Sequence, residues 1–385
     1  MNPPHVLPRF ISDKFRFWSL MSMVLLVFVH GYNQDVRYLQ PWTLPTEPLD
    51  ANGFVQYLFA NGLLRFRIPM LFAISGYLFA LHDARPHAER IRTRTRTLLV
   101  PYLLWSGLWL ATLFGAEQFA LVREGIAASG IAQLDREGVR VLVSDHTPGE
   151  LLARWLLAPF AYQLWFIRVL FFYNLAYPLL ARALTSRNGT RVLFGIALLM
   201  WLTTTDLFFV EGEGLLFFSL GIWLQKRGRD LALPPPGPLA AWAAVFVGAA
   251  LAKTWLAFAG QPLLGDAVYP LLLWLHKLTV ASGLVTAWFG GDALVRAAMR
   301  RPWFVRLTAF SFVIYAFHAP LVAILIDPAL ALFGGGTAAH AIAFVALPLA
   351  LVAMAVALGA GLRAVAPNLS GLLTGGRGLA RPVAS

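Results

Sequence analysis

FWSLMSMVLLVFVHGY, residues 17–32, is an uncharged apolar run that follows the basic stretch RFISDKFR (9–16) and ends beside one imidazole, His30. Only helices and closed barrels satisfy every backbone group in lipid, and about 20 apolar residues in a helix cross the hydrocarbon layer. The run therefore reads as a membrane-spanning helix with basic residues at its start. Nine more such runs follow, at approximately 63–82, 98–116, 162–184, 192–209, 213–225, 239–258, 268–289, 308–326 and 340–362. The expected fold class is all-α: a polytopic integral membrane protein of about ten transmembrane helices, forming a single membrane domain over 1–385 with short tails at 1–16 and 363–385. Pro and Asp precede the first apolar run and no small-residue cleavage site follows it, so this helix is expected to be retained rather than removed as a signal peptide.

Composition agrees. Of 385 residues, 58% are hydrophobic and 13% charged, against about 25% charged in soluble chains. The net charge of +12 then belongs to short connections, where it orients a protein in the bilayer; nucleic acid is not an expected partner. With both termini cytoplasmic and ten crossings, 21 of the 31 basic residues fall inside, in clusters such as Arg85–Arg96 and Arg296–Arg306, while Arg37, Arg123, Arg136, Arg140 and Arg154 lie outside with 14 of the 19 acids. That pattern obeys the positive-inside rule, and omitting the short sixth run would place later basic clusters outside. Residues 149–160 (GELLARWLLAPF) suit an interfacial amphipathic helix, PPPGP (234–238) a stiff linker, and Gly334–Gly336 a turn. The absence of cysteine excludes disulfides, thiolate metal sites and a thiol nucleophile; no metal is expected.

Ionisable groups inside spans are costly and point to chemistry. They are His30, Arg65, Arg67, Arg168, Lys253, His276, Lys277 and His318. His30 stands at a depth where a neutral imidazole can take a proton from a hydroxyl, or where a structural histidine can meet the headgroups. His318, just before Pro320, carries the same two readings. Arg65 and Arg67 come near His30 if the first two spans are antiparallel neighbours; they hold a polar acceptor or a carboxylate, or snorkel to the outer surface. Lys253 and Lys277 receive no role. Arg90, Arg92, Arg94 and Arg96 precede the third span and suit either the anionic inner leaflet or bidentate phosphate recognition.

Six segments, VFVHGYN (27–33), RFRIPMLFAISGYLF (65–79), RTRTRTLLVPY (92–102), QLWFIRVLFF (163–172), FFSLGIWL (217–224) and SFVIYAFHAPL (311–321), together resemble the membrane-bound acyltransferase 3 family, in order across residues 14–326. The resemblance implies an integral-membrane O-acyltransferase of the bacterial plasma (inner) membrane. It would move an acyl group, most often acetyl, from cytosolic acyl-CoA (acetyl-CoA) as co-substrate to a hydroxyl of an extracytoplasmic or lipid-linked carbohydrate. It also implies that His30 and Arg67 are catalytic and that Arg92, Arg94 and Arg96 bind the donor. Arg65, Trp165 and His318 would hold the substrate or support the site, Trp165 within a Leu164-Trp165-Phe166 element and His318 with Tyr315 and Pro320. Ser75 and Gly76 match the family's SG pair. Many members carry a basic residue eleven positions before the first-helix histidine; here that position is Ser19, and Arg16 and Lys14 stand nearest. His30 is then a general base or is itself transiently acylated. The reading from a different class is a transporter or flippase of a polar solute, disfavoured because no internal repeat is visible and no carboxylate lies in the interior of a span. A glycan polymerase or glycosyltransferase would instead use carboxylates among Asp35, Glu117, Asp206, Glu211 and Glu213.

Overall fold

The computed structural model describes residues 7–133 and 142–377; the expected outer arginines Arg136 and Arg140 lie outside them. Among the described residues all regular structure is helical, apart from one isolated bridge between Asp206 and Glu211. In chain order the helices are α1 (Arg9–His30), α2 (Ala51–Ala80), α3 (His87–Ala116), α4 (Ala120–Ser129), α5 (Pro148–Leu156), α6 (Tyr162–Ala183), α7 (Arg187–Leu202), α8 (Gly212–Lys226), α9 (Leu239–Ala259), α10 (Gln261–Gly290), α11 (Asp292–Met299), α12 (Pro302–Leu332), α13 (Thr337–Val365) and α14 (Pro367–Thr374). Seven of them, α2, α3, α6, α9, α10, α12 and α13, are long and apolar enough to cross a membrane. Exposed Val245, Leu251 and Trp255 on α9, Leu271 and Trp274 on α10, and Leu349 and Leu358 on α13 give them the apolar outer faces that lipid requires. The other three expected spans are also helical but do not reach that length and apolar content. Asp13, Lys14 and Arg16 occupy the early turns of α1, while α7 and α8 have 16 and 15 residues, about 24 and 22 Å of rise against about 30 Å of hydrocarbon.

Two expected boundaries move. The second span begins at Ala51 rather than 63, because the Asp50 side chain accepts the Gly53 amide at 2.6 Å and caps the helix. The basic run before the third span is helical from His87. The amphipathic stretch forms α5, opened by a capping box of Thr147 and Glu150.

The described chain groups into two compact units, Met1–Arg92 with Phe172–Thr308 and Thr93–Phe171 with Ala309–Ser385. In the first, ring contacts Phe15–Tyr77 at 5.6 Å and Tyr32–Tyr57 at 6.4 Å hold α1 antiparallel to α2. Asp83, in the turn after α2, accepts from Tyr177 Oη at 2.6 Å, Arg90 Nη1 at 2.9 Å and Lys226 Nζ at 2.6 Å, tying α2, α3, α6 and α8 together. Burial pushes its carboxyl upward, but Lys226, Tyr177 and Arg90 outweigh that and hold it below the usual carboxylate range. Lys14 is buried and pairs with Asp292 at 2.7 Å on α11.

The second unit is organised by a proline. Pro320 has no amide hydrogen, so it leaves the Ala316 carbonyl of α12 without its helical partner. Trp109 Nε1 of α3 donates to that oxygen at 2.9 Å and Gln163 Nε2 of α6 at 3.1 Å. Tyr315 Oη returns a bond to the Gln163 carbonyl at 2.5 Å.

Candidate active site

The polar centre of the first unit grows from a defect in α2. Residues 58–63 form a π-helical turn, in which Leu64 N reaches back to Phe59 O, and Arg65 N then turns to Gly62 O. The Ala60 and Asn61 carbonyls thereby lose their ordinary helical donors. Two cations take them: Arg65 Nε donates to Ala60 O at 3.1 Å, and Lys253 Nζ of α9 to Asn61 O at 2.6 Å. Arg65 Nη2 also donates to Leu39 O at 2.8 Å, and Arg67 Nη1 to Leu64 O at 2.7 Å. Gly62 permits this arrangement, because a Cβ there would stand 3.3 Å from Ala250 Cβ on α9, one turn from Lys253. Helix defects of this kind concentrate at functional sites.

Around the defect, His276 Nδ1 of α10 lies 3.2 Å from Lys253 Nζ. Lys277 sits 5.1 Å from the Trp201 ring, and Trp201 Nε1 donates to Glu213 Oε2 at 3.2 Å. Lys277, Arg65 and Arg67 all act electrostatically on Glu213, at the first turn of α8. Lys253 is fully buried and Arg67 3% exposed. Arg67 Nε and Asn61 Oδ1 are buried with no hydrogen-bond partner.

His30 closes α1, half-buried. The α1–α2 pairing, extended by Asn33 N to Gln56 Oε1 at 3.4 Å, sets His30 level with residues 59–62 and Arg67 about two turns deeper along α2. The expected antiparallel pairing of the two helices that carry these residues is present. Snorkelling is not what Arg65 and Arg67 do, since both turn onto backbone carbonyls of α2 and its neighbouring loop. Of the candidates to replace a basic residue at Ser19, Lys14 is taken by Asp292 and Arg16 is exposed.

The donor candidates separate by exposure. Arg92 and Arg96 are exposed and Arg94 is half-buried, while Arg90 stacks over Phe79 and Tyr177 at 4.7 and 4.6 Å and pairs with Asp83, a structural role. In the second unit Arg94 acts electrostatically on Arg377, whose guanidinium lies 4.6 Å from the Phe312 ring and is pushed down to about 10 by burial and by Arg94. His318 is buried, with Nδ1 3.0 Å from Ile314 O of its own helix. Trp165 is half-buried and meets Phe166 edge-on at 6.2 Å.

Sequence reasoning picked out every buried cation here but left Lys253, His276 and Lys277 unassigned, and it did not foresee Glu213 beside the arginines. No spacing signal links them, because they meet from α2, α8, α9 and α10. The arrangement offers an imidazole level with the α2 defect and a rigid set of buried cations beside that defect, of which Arg67 reaches back along α2 to Leu64 O; such cations can stabilise an oxyanion.

Residues 13–360 match a family described as an acyltransferase domain. The succinoglycan biosynthesis protein ExoH of Rhizobium meliloti (strain 1021) is similar, 26% identical over 392 residues that cover 97% of this chain and 95% of that protein. No solved structure matches. A family match over almost the whole chain, on a framework with seven helices able to cross a membrane, makes this a multi-pass membrane protein that belongs to the acyltransferase 3 family.

Proposed function

We propose that the protein transfers an acyl group, acetyl as the default, from acyl-CoA to a hydroxyl of an extracytoplasmic or lipid-linked glycan in the bacterial plasma membrane. The hydroxyl oxygen attacks the thioester carbonyl while His30 takes the hydroxyl proton; the C–S bond then breaks, and the departing CoA thiolate takes that proton back from His30 and leaves as the thiol. Arg67 stabilises the charge developing on the carbonyl oxygen. A direct attack and a transient acyl-His30 share this geometry.

The observation that carries the reading is a group of buried polar atoms without hydrogen-bond partners on α1, α2 and α8 of the first unit, among them Trp18 Nε1, Ser22 Oγ, Ser219 Oγ, Arg67 Nε and Asn61 Oδ1. Each such atom costs about 1–3 kcal/mol when buried alone, so the group favours a polar guest, as the amide-bearing arm of an acyl-CoA would be. A transporter would also tolerate polar interiors, and donor binding separates the two.

Arg92, Arg94 and Arg96 hold the donor's phosphates in this reading, joined by Arg377. Arg94→Gln and Arg377→Gln should each raise the acyl-CoA KM by about tenfold, the low end for a charge-assisted contact, with kcat nearly kept. Unchanged KM values in proteoliposomes would return these arginines to membrane anchoring alone. The orientation follows the basic clusters: reporter fusions after residues 90, 186, 228 and 302 are expected to report cytoplasm, and those after 45 and 264 the outside. A cytoplasmic signal at 264 would overturn the ten-span arrangement.

A further inference from the structure

The cations of the α2 defect are too many for the acids beside them. Arg65, Arg67, Lys253 and Lys277 all act electrostatically on His276, while Glu213 acts on Arg65, Arg67 and Lys277, and Glu211 on Lys277 alone. None of the four makes an ion pair within 4.0 Å of a described carboxylate. Arg65, Arg67 and Lys253 donate instead to backbone carbonyls, which fix position without neutralising charge, and Lys253 also meets His276 Nδ1. Arg67 Nε is buried and has no hydrogen-bond partner. A buried cation left unpaired is costly, and planar guanidinium groups held by a rigid frame match a carboxylate.

We propose that Arg65, Arg67 and Lys253 form a carboxylate-binding subsite, filled by the free carboxylate of a dicarboxylic acyl group or of an acidic sugar in the acceptor. The inference rests on the acyl-transfer reading for its placement, since the subsite lies on the same stretch of α2 as the level of His30. It adds to that reading a selectivity: the substrate pair carries a negative charge close to the reacting carbonyl. Lys253 supplies a third hydrogen-bond donor, and its bond to Asn61 O keeps it facing the defect. The two arginines supply the planar donors. Gly62, by admitting α9 at close range, is what lets a residue of α9 complete a site built on α2.

The test uses the full chain in phosphatidylcholine proteoliposomes, so that no anionic headgroup competes. Succinate, glucuronate and glucose are added singly and thermal unfolding is followed; the two carboxylates should raise the unfolding temperature and glucose should not. Succinyl-CoA and acetyl-CoA are then compared as donors, and acidic and neutral glycans as acceptors. A donor preference of about tenfold or more for succinyl places the carboxylate on the acyl group, and a like preference for the acidic glycan places it on the acceptor. Lys253→Met and Arg65→Gln should each collapse whichever preference is seen and abolish the carboxylate stabilisation. Absence of stabilisation by both carboxylates in the parent protein overturns the subsite, as does a preference that survives both variants. Stabilisation by carboxylates with no acyl transfer from any donor would keep the subsite and sink the acyl-transfer reading.

Discussion

His30→Gln should leave a folded, membrane-inserted protein whose acyl transfer falls by about 100- to 10,000-fold, the usual cost of removing a general base. Gln keeps a hydrogen-bonding group of similar reach but cannot take a proton at neutral pH. The position argues for chemistry rather than packing, because α1 ends at His30 and its apolar anchors are Leu26, Val27 and Val29, all buried, with His30 itself only half-buried. His318 offers the contrast. It is 1% exposed and its Nδ1 is engaged by Ile314 O at 3.0 Å within the turn that Pro320 loosens. His318→Gln should therefore retain measurable turnover with a lower unfolding temperature. Acylation of the glycan, followed by NMR beside a thermal scan of each variant, separates these outcomes. A near-parent rate for His30→Gln with a dead His318→Gln would transfer the base to the late histidine.

Helical class and most span positions were legible because lipid removes every alternative: apolar runs of span length have one inexpensive backbone conformation. What the sequence concealed was local. Nothing in NGLLRFRIP (61–69) announces a π-helical turn, since that defect is stabilised by Lys253, almost two hundred residues away, occupying the Asn61 carbonyl. Arg90 looked equivalent to Arg92, Arg94 and Arg96, yet only Arg90 has Asp83, Phe79 and Tyr177 waiting for it. The Tyr315–His318–Pro320 element was visible as a motif, whereas its partner Gln163 was not, because a proline reveals that a carbonyl is freed but not who fills it. The site's cations were found by a composition argument that needs no geometry. Their grouping required it.

Gly76→Ala is the substitution expected to damage the fold most for the fewest atoms. On helix propensity alone it should help, since Ala is favoured over Gly by about 1 kcal/mol in a helix interior. Packing decides the other way. A Cβ at Gly76 would meet the Phe218 carbonyl oxygen of α8 at 2.1 Å, and across the same contact a Cβ at Gly221 would meet the Ala73 oxygen of α2 at 2.0 Å. Both obstacles are backbone, so no side chain can rotate away, and α2 and α8 must separate. Small-residue contacts of this kind are how helices approach closely in lipid. Overpacking costs about 1–3 kcal/mol and sometimes more, and separation would also carry Glu213 and Ser219 of α8 away from the α2 cations. Gly76→Ala should therefore lower both the unfolding temperature in detergent and the transfer rate, and Gly76→Val should fail to accumulate in the membrane. Gly248→Ala on α9 is the matched control: a Cβ there meets nothing within 4 Å, so the propensity gain stands unopposed and stability should hold or rise. If Gly76→Ala behaves as Gly248→Ala does, the backbone contact between α2 and α8 is not what fixes the glycine, and the Ser75-Gly76 pair would have to act through the serine instead.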